Sequence, residues 1–135
     1  MKDITALSHA DAWEIVNSVR VALEQDGRGA AVAVCDDHGE LVALLRTDGC
    51  PLPSINNAIN KAYTASRQRM ESRQVGEESR QGNFAMTNFG DLRYTGWGGG
   101  VPIMADGEVV GAVGVSGLPE EDDMKIARAG AALIS

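Results

Sequence analysis

The alternation of hydrophobic and polar residues predicts a helix followed by a β-hairpin. Hydrophobic residues recur at helical spacing over residues 9–25, and Ser8 precedes them in the position of an N-cap. Residues 30–35 form an apolar run of strand length, and residues 41–46 form a second. Residues 36–39, between these runs, have the composition of a turn, so the two strands should pair with each other.

A second helix is predicted over residues 54–72, with Ser54 as its cap. Its core stripe would consist of four residues at helical intervals, Ile55, Ile59, Ala62 and Ser66. A parallel polar stripe runs beside it, through Asn57, Lys61, Thr64 and Gln68. The segment 74–91 that follows is polar and poorly periodic, which indicates one short helical turn and then a loop.

The last third predicts another hairpin and a final helix. The Asp106-Gly107 pair separates two apolar runs, 101–104 and 109–116, and such a pair is a strong hairpin signal. The helix that follows would bury a stripe of four residues, Met124, Ala127, Ala131 and Ile134. Two hairpins separated by helices predict an α+β fold, an antiparallel sheet with helices packed on it, and a fifth strand is expected within residues 84–95.

Glycine is frequent inside one of the predicted strands. Gly111 and Gly114 weaken this strand, so we expect a helix or a ligand to approach its backbone closely there. Sixteen residues in all are glycine and only 4% are aromatic, which indicates close packing of backbones around a small core. A small core stabilises weakly, and this favours a homo-oligomer.

Composition narrows the class of protein. A chain of 135 residues and 14.2 kDa is expected to form a single domain over residues 1–135. Its net charge of −7 argues against nucleic acid as a partner, and its longest apolar run is too short to span a membrane. The two cysteines suit a reducing compartment, and the N-terminus does not resemble a secretion signal, so a cytoplasmic location is expected.

The sequence offers few catalytic signatures. It contains no Cys-x-x-Cys, no His-x-x-x-His and no Gly-x-Ser-x-Gly, which favours a binding protein over an enzyme and predicts no catalytic residue. The two histidines, His9 and His38, are either solvated surface residues or ligands of a metal or haem iron.

Lys61 is the most unusual charged residue. It lies on an alanine-rich helix, and Arg46 and Asp48 leave the end of a strand shortly before that helix. These three side chains together would bind a carboxylate, such as a haem propionate or a small acid. The alternative is a structural ion pair that joins the hairpin to the helix.

Several fragments, in this order and spacing, resemble the GlcG/HbpS-like family, which includes the C-terminal domain of PduO-type proteins. The resemblance covers residues 8–134, and it rests on these segments: Val34-Cys35-Asp36-Asp37-His38-Gly39-Glu40-Leu41, Arg46-Thr47-Asp48-Gly49, Lys61-Ala62-Tyr63-Thr64-Ala65, Gly98-Gly99-Gly100-Val101-Pro102-Ile103, Asp106-Gly107 and Gly111-Ala112-Val113-Gly114-Val115-Ser116-Gly117.

The resemblance implies a profilin-like fold with about five strands, assembly into homo-oligomers such as octamers, and binding of haem or iron. It also implies a link to diol, glycerol or glycolate utilisation. On this basis we expect an accessory protein that binds haem or a related tetrapyrrole, with His9 as the iron ligand. The ligand-binding residues would be Arg46, Asp48, Lys61, Thr64, Gly99, Gly100 and Ser116.

A competing hypothesis is an enzyme or accessory factor that acts on a small carboxylate or a corrinoid. It would use Lys61, Asp48 and Thr64 in a pocket roofed by Gly99 and Gly100. A third possibility is a protein that serves only assembly.

Overall fold

The computed structural model describes residues 1–134. Four helices, four strands and two short 3₁₀ turns follow one another in the order α1 His9–Asp26, β1 Ala31–Asp36, β2 Leu41–Arg46, α2 Ser54–Gln68, α3 Ser72–Gln81, the turn Met86–Phe89, β3 Gly100–Ala105, β4 Glu108–Ser116, α4 Glu120–Ala131 and the turn Ala132–Ile134.

The sheet is antiparallel throughout, in the order β2-β1-β4-β3. Both predicted hairpins are present, and β1 joins them by pairing with β4 in a register that sets Ala31 opposite Ser116. The predicted fifth strand is wrong for the described chain, because residues 84–95 form a 3₁₀ turn and a loop. The hydrophobic residues of this segment, at 84–86, 89, 92 and 94, do not keep a two-residue period across it, so it has no continuous apolar face to lay on the sheet. A profilin-like arrangement stays a prediction.

Helices cover both faces of the sheet, and the two layers differ in side-chain size. On one face, α1 and α4 pack against branched residues that point from the two central strands, Val32, Val34, Val113 and Val115. On the other face, the buried cluster beneath α2 consists of small residues, namely Ala31, Ala33, Cys35, Ala58, Ala62, Ala65 and Ala112. The α2 layer therefore brings backbones, rather than side chains, close together.

Glycines make this close approach possible. A Cβ atom at Gly114 would lie 2.1 Å from the carbonyl oxygen of Ala58, and one at Gly100 would lie 2.1 Å from that of Lys61. We call Gly100, Gly114, Ala58 and Ala62 the glycine–alanine seam. The expectation of a helix against Gly114 is confirmed, whereas a Cβ at Gly111 would meet the Cys35 carbonyl of the neighbouring strand, 2.3 Å away.

The sequence predicted the N-cap of α1 correctly, but it did not predict the N-cap or the end of α2. Ser8 Oγ accepts a hydrogen bond from the Asp11 amide at 3.1 Å, as an N-cap should. By contrast, Pro53 occupies the N-cap of α2, and Ser54 is its first helical residue and makes no capping bond. The helix also ends before residue 72, because Arg69 adopts a left-handed conformation with φ of 57°.

The predicted faces of α2 are partly wrong. Ile55 and Ile59 are only half-buried, whereas Lys61 and Thr64 from the supposed polar stripe are fully buried. The seam admits alanines but no larger aliphatic side chain, so the isoleucines lie at the margin of the helix–sheet contact.

Candidate functional site

Lys61 forms a buried ion pair with a partner that the sequence interpretation did not select. Its Nζ donates to the Val115 carbonyl at 3.0 Å and lies 3.2 Å from Oδ2 of Asp123, at the start of α4. Lys61 is 3% exposed and Asp123 is 1% exposed. Lys61 therefore forms a structural ion pair, which was the alternative to a carboxylate-binding site. The pair joins α2 to α4, however, and not the first hairpin to α2.

Asp123 accepts a hydrogen bond at each of its carboxylate oxygens. Its Oδ1 accepts from the Leu118 amide at 3.1 Å, while Oδ2 accepts from Lys61. Burial raises the pKa of Asp123 above its ordinary value, and the charge of Lys61 opposes that rise. The pair stabilises the fold only while both partners are present, since either one alone would be a buried uncompensated charge.

A pocket of about 410 Å³ opens beside this pair, between the first turns of α2 and α4. Its wall includes the side chains of Ser54, Asn57, Lys61, Trp97, Ser116 and Asp123. Ser116 was a predicted ligand-binding residue, and the structure brings it together with Lys61. The volume lies within the range usual for small-molecule sites.

Three polar side chains in this wall have unused hydrogen-bonding capacity. Ser54 and Ser116 are each only 5% exposed, and their hydroxyl groups make no hydrogen bond to any residue in the range 1–134. The side-chain amide of Asn57, one turn along α2 from Ser54, makes none within that range either. No fully buried side-chain oxygen or nitrogen lacks a partner among the described residues, so these two hydroxyl groups reach the open space of the pocket and are available to water or a ligand.

The mouth of the pocket combines an aromatic ring and a carboxylate. Trp97 is 62% exposed. Glu120 is engaged, because its Oε2 accepts from the Gly98 amide at 2.7 Å and its Oε1 lies 3.8 Å from Arg73. A Cβ atom at Gly98 would lie 2.6 Å from the Met124 sulfur, so a larger residue there would require the Met124 side chain to move.

Arg46 and Asp48 lie elsewhere. They line a different pocket of about 340 Å³, formed where the end of α1 meets the end of β2. Arg46 is exposed and has no ion-pair partner among residues 1–134. The predicted cluster of Arg46, Asp48 and Lys61 is therefore not assembled in one pocket, because Lys61 is paired with Asp123 of α4 and lines the other pocket.

The remaining predicted residues support their neighbours. Thr64 is fully buried and its Oγ1 accepts from the Thr95 amide at 3.0 Å, so it fixes the loop that follows residue 90. A Cβ atom at Gly99 would lie 3.1 Å from the Lys61 ammonium nitrogen, and Gly100 packs on the Lys61 carbonyl. Gly99 and Gly100 thus make room for Lys61 rather than form a roof over a separate pocket.

A second side-chain network joins Tyr63 of α2 to that loop. The Tyr63 hydroxyl donates to Asp91 at 2.5 Å, and the Arg93 guanidinium lies 3.9 Å from the centre of the Tyr63 ring. Burial, followed by the Asp91 contact, raises the pKa of Tyr63 to about 12. Hydrogen bonds from Arg93 and Tyr63 hold the pKa of Asp91 well below its ordinary value.

His9 and His38 are both exposed. His9 is the first residue of α1, and Trp13, one helical turn further on, is 51% exposed. His38 lies in the turn of the first hairpin, where its Nδ1 is 3.5 Å from Asp37. Among residues 1–134, the one group of three possible metal-donor side chains is Asp36, Asp37 and His38, and His9 is not part of it.

Sequence reasoning missed four residues of these surfaces, namely Ser54 as a pocket residue, Trp13, Trp97 and Asp123. Asp123 did carry a signal, since it lies four positions before Ala127 on the inward face of α4. The tryptophans carried no comparable signal, because an exposed aromatic side chain cannot be distinguished from a buried one by spacing alone. No helix among the described residues is long and apolar enough to cross a membrane.

The fold and the site define an α+β protein with a four-stranded antiparallel sheet, one helix layer closely packed through glycine and alanine, and a polar pocket beside a buried ion pair. The family model for "Haem degrading protein HbpS-like" matches residues 7–132, so the chain belongs to the HbpS-like family.

Similar proteins agree with this assignment. Protein GlcG of Escherichia coli K12 is 35% identical over 116 residues, which cover 86% of this chain and 85% of GlcG. The crystal structure of a double mutant of HbpS from Streptomyces reticuli has a TM-score of 0.89 and 32% identity, and it covers 100% of this chain and 91% of that one. The crystal structure of a PduOC:heme complex has a TM-score of 0.89 and 26% identity, and it covers 97% of this chain and 96% of that one.

Proposed function

We propose that this protein is a haem- or tetrapyrrole-binding accessory protein. The observation that carries the proposal is membership of the HbpS-like family together with the whole-length similarity to the PduOC:heme complex. Iron without a macrocycle is the nearest alternative ligand. A cytoplasmic location and a link to diol, glycerol or glycolate utilisation belong to the same proposal, and they rest on the family resemblance.

The exposed start of α1 has residues that fit haem. Haem needs a nitrogen or sulfur donor for its iron and apolar surface against its ring. His9 supplies an imidazole, and Trp13 supplies an exposed indole on the neighbouring turn of the same helix. When bound, haem would supply redox-active iron, while His9 and Trp13 would bind and orient it.

Arg46 is a separate candidate for a carboxylate ligand, because it lies beside the last turns of α1, about 20 Å along that helix from His9, which is too far for a propionate of a haem ligated there. It is exposed and has no ion-pair partner among residues 1–134, so its guanidinium is available to a carboxylate. Lys61 is less suitable than the sequence suggested, because Asp123 already neutralises it. The same neutralisation weakens the alternative of an enzyme or accessory factor that holds a small carboxylate or corrinoid on Lys61.

The test is a titration of the purified protein with hemin, followed by the Soret band. We expect a shifted band at micromolar hemin that His9→Ala abolishes. His38→Ala is the matched control, since it removes the other exposed histidine and should leave the band unchanged. An unshifted band for the unaltered protein, or equal loss in both variants, would contradict the proposal.

We also propose that the chain forms a homo-oligomer, with the octamer as the form that the family resemblance implies. Light scattering on the eluting protein measures the mass directly. A mass of one 14.2 kDa chain would reject this part of the proposal and leave the haem test unaffected.

A further inference from the structure

The pocket beside Lys61 and Asp123 has the chemistry of a site for a neutral ligand. Three charged side chains line it, one cationic and two anionic. Lys61 is neutralised by Asp123, and Glu120 adds a negative charge, so the wall repels an anion. Both carboxylates already accept hydrogen bonds, from Leu118 and Lys61 in one case and from Gly98 in the other, which leaves a cation little to bind.

What remains free in the wall is a set of hydroxyl and amide groups. Ser54 and Ser116 are 95% buried, line the same pocket and have no side-chain hydrogen bond within residues 1–134, and Asn57 adds an unpaired amide. An ammonium group carries three hydrogens, and Lys61 uses two of them, on Val115 and Asp123. The wall thus offers both donors and acceptors to a volume of about 410 Å³.

Hydroxyl groups of a ligand can both donate and accept, and they match such a mixed set better than a carboxylate or an amine does. Trp97 provides an exposed indole at the mouth, against which the C–H groups of a small polyol can pack. We propose that this pocket binds a small, uncharged, polyhydroxylated molecule of the size of a polyol or a monosaccharide. The site is distinct from the proposed haem surface at His9 and Trp13.

The test compares three probes that share one carbon skeleton: glycerol, which is neutral, D-glycerate, which is an anion, and 3-amino-1,2-propanediol, which is a cation. Each is titrated into the isotopically labelled protein and followed by the amide resonances of Gly98, Gly117 and Leu118, which lie in the pocket wall. We expect glycerol to shift these resonances saturably at millimolar concentration and the two charged probes to bind more weakly.

Ser54→Ala and Ser116→Ala should each weaken glycerol binding by about tenfold, the usual consequence of losing one buried hydrogen bond. Both variants keep a small side chain, and circular dichroism verifies that they fold. Trp97→Ala should also weaken binding, whereas Trp13→Ala is the matched control and should not.

Two results would overturn the proposal: tighter binding of D-glycerate at these amides, or glycerol shifts that do not saturate and are unchanged in both serine variants. Because hemin binding is expected to depend on His9 and glycerol binding on Ser54 and Ser116, failure of one proposal is distinguishable from failure of the other.

Discussion

The ammonium group of Lys61 lies 3.2 Å from the carboxylate of Asp123, in a part of the protein where both side chains are almost fully buried. The two residues are 62 positions apart in the chain, and they connect α2 to the first turn of α4 beside the end of β4. This contact therefore ties the layers on opposite faces of the sheet to each other.

Replacement of Lys61 should destabilise the protein strongly. Lys61→Met keeps the length of the side chain but leaves Asp123 buried without a counter-charge, which costs about 3–5 kcal/mol of the free energy of unfolding. Urea denaturation followed by circular dichroism measures the loss. A loss below about 1 kcal/mol, the value typical of an exposed pair, would contradict the assignment of a buried pair.

The pH dependence of that variant provides its control. In the folded state burial raises the pKa of Asp123, and removal of Lys61 should raise it further. A raised folded pKa means that the folded state binds the proton more tightly, so stability from this group is present at low pH and lost as pH rises through the folded pKa. The loss of unfolding free energy in Lys61→Met should therefore become smaller as the pH is lowered from about 7.5 to about 4.5. A deficit that grows on acidification would show that Asp123 is not the group responsible.

A side chain at Gly114 should be incompatible with the present packing of α2. In Gly114→Ala the new Cβ would meet the Ala58 carbonyl, a backbone atom that can move only with the whole helix, and we expect a loss of about 3 kcal/mol or more. Gly130→Ala is the matched comparison and should cost less, because its Cβ would lie 2.9 Å from a side-chain methyl group of Val19 rather than 2.1 Å from a backbone atom, and because alanine favours the helix there. Thermal unfolding compares the two variants, and equal melting temperatures would contradict the close approach.

The Tyr63–Asp91 contact should be visible in an alkaline titration. The protein has two tyrosines, and the pKa of Tyr63 is about 12 because burial and Asp91 both oppose loss of its proton. Asp91→Asn removes the charge next to the hydroxyl, so Tyr63 should ionise at lower pH in the variant. Ultraviolet absorbance of tyrosinate measures this shift, with Tyr94→Phe as the background that isolates Tyr63. An unchanged or higher midpoint would indicate that Asp91 does not influence Tyr63.

Much of the fold was predictable because its signals are local. Ser8 caps α1, and Asp106 and Gly107 both have the positive φ values, 52° and 78°, that a tight hairpin turn of the primed type requires. Each of these signals operates over a few residues, where the identity of the side chain alone decides the backbone conformation.

The candidate site was less predictable because its contacts are long-range. Lys61 was grouped with Arg46 and Asp48, which are near in sequence, whereas its partner comes from α4. The burial of Lys61 and Thr64 depends on the glycine–alanine seam, and no hydrophobic periodicity in α2 reports the size of the residues that it meets across the sheet.

The glycine–alanine seam positions the pocket beside Lys61 and Asp123, although Gly100 and Gly114 do not line that pocket. The main chain of α2 almost touches the strands at Gly100 and Gly114, and Lys61 reaches Asp123 from that position. A bulkier residue at Gly114 would lift the helix and carry the ammonium group out of range of its carboxylate. The pocket could thus be dismantled by a change beneath the helix while every group that faces its interior stayed the same.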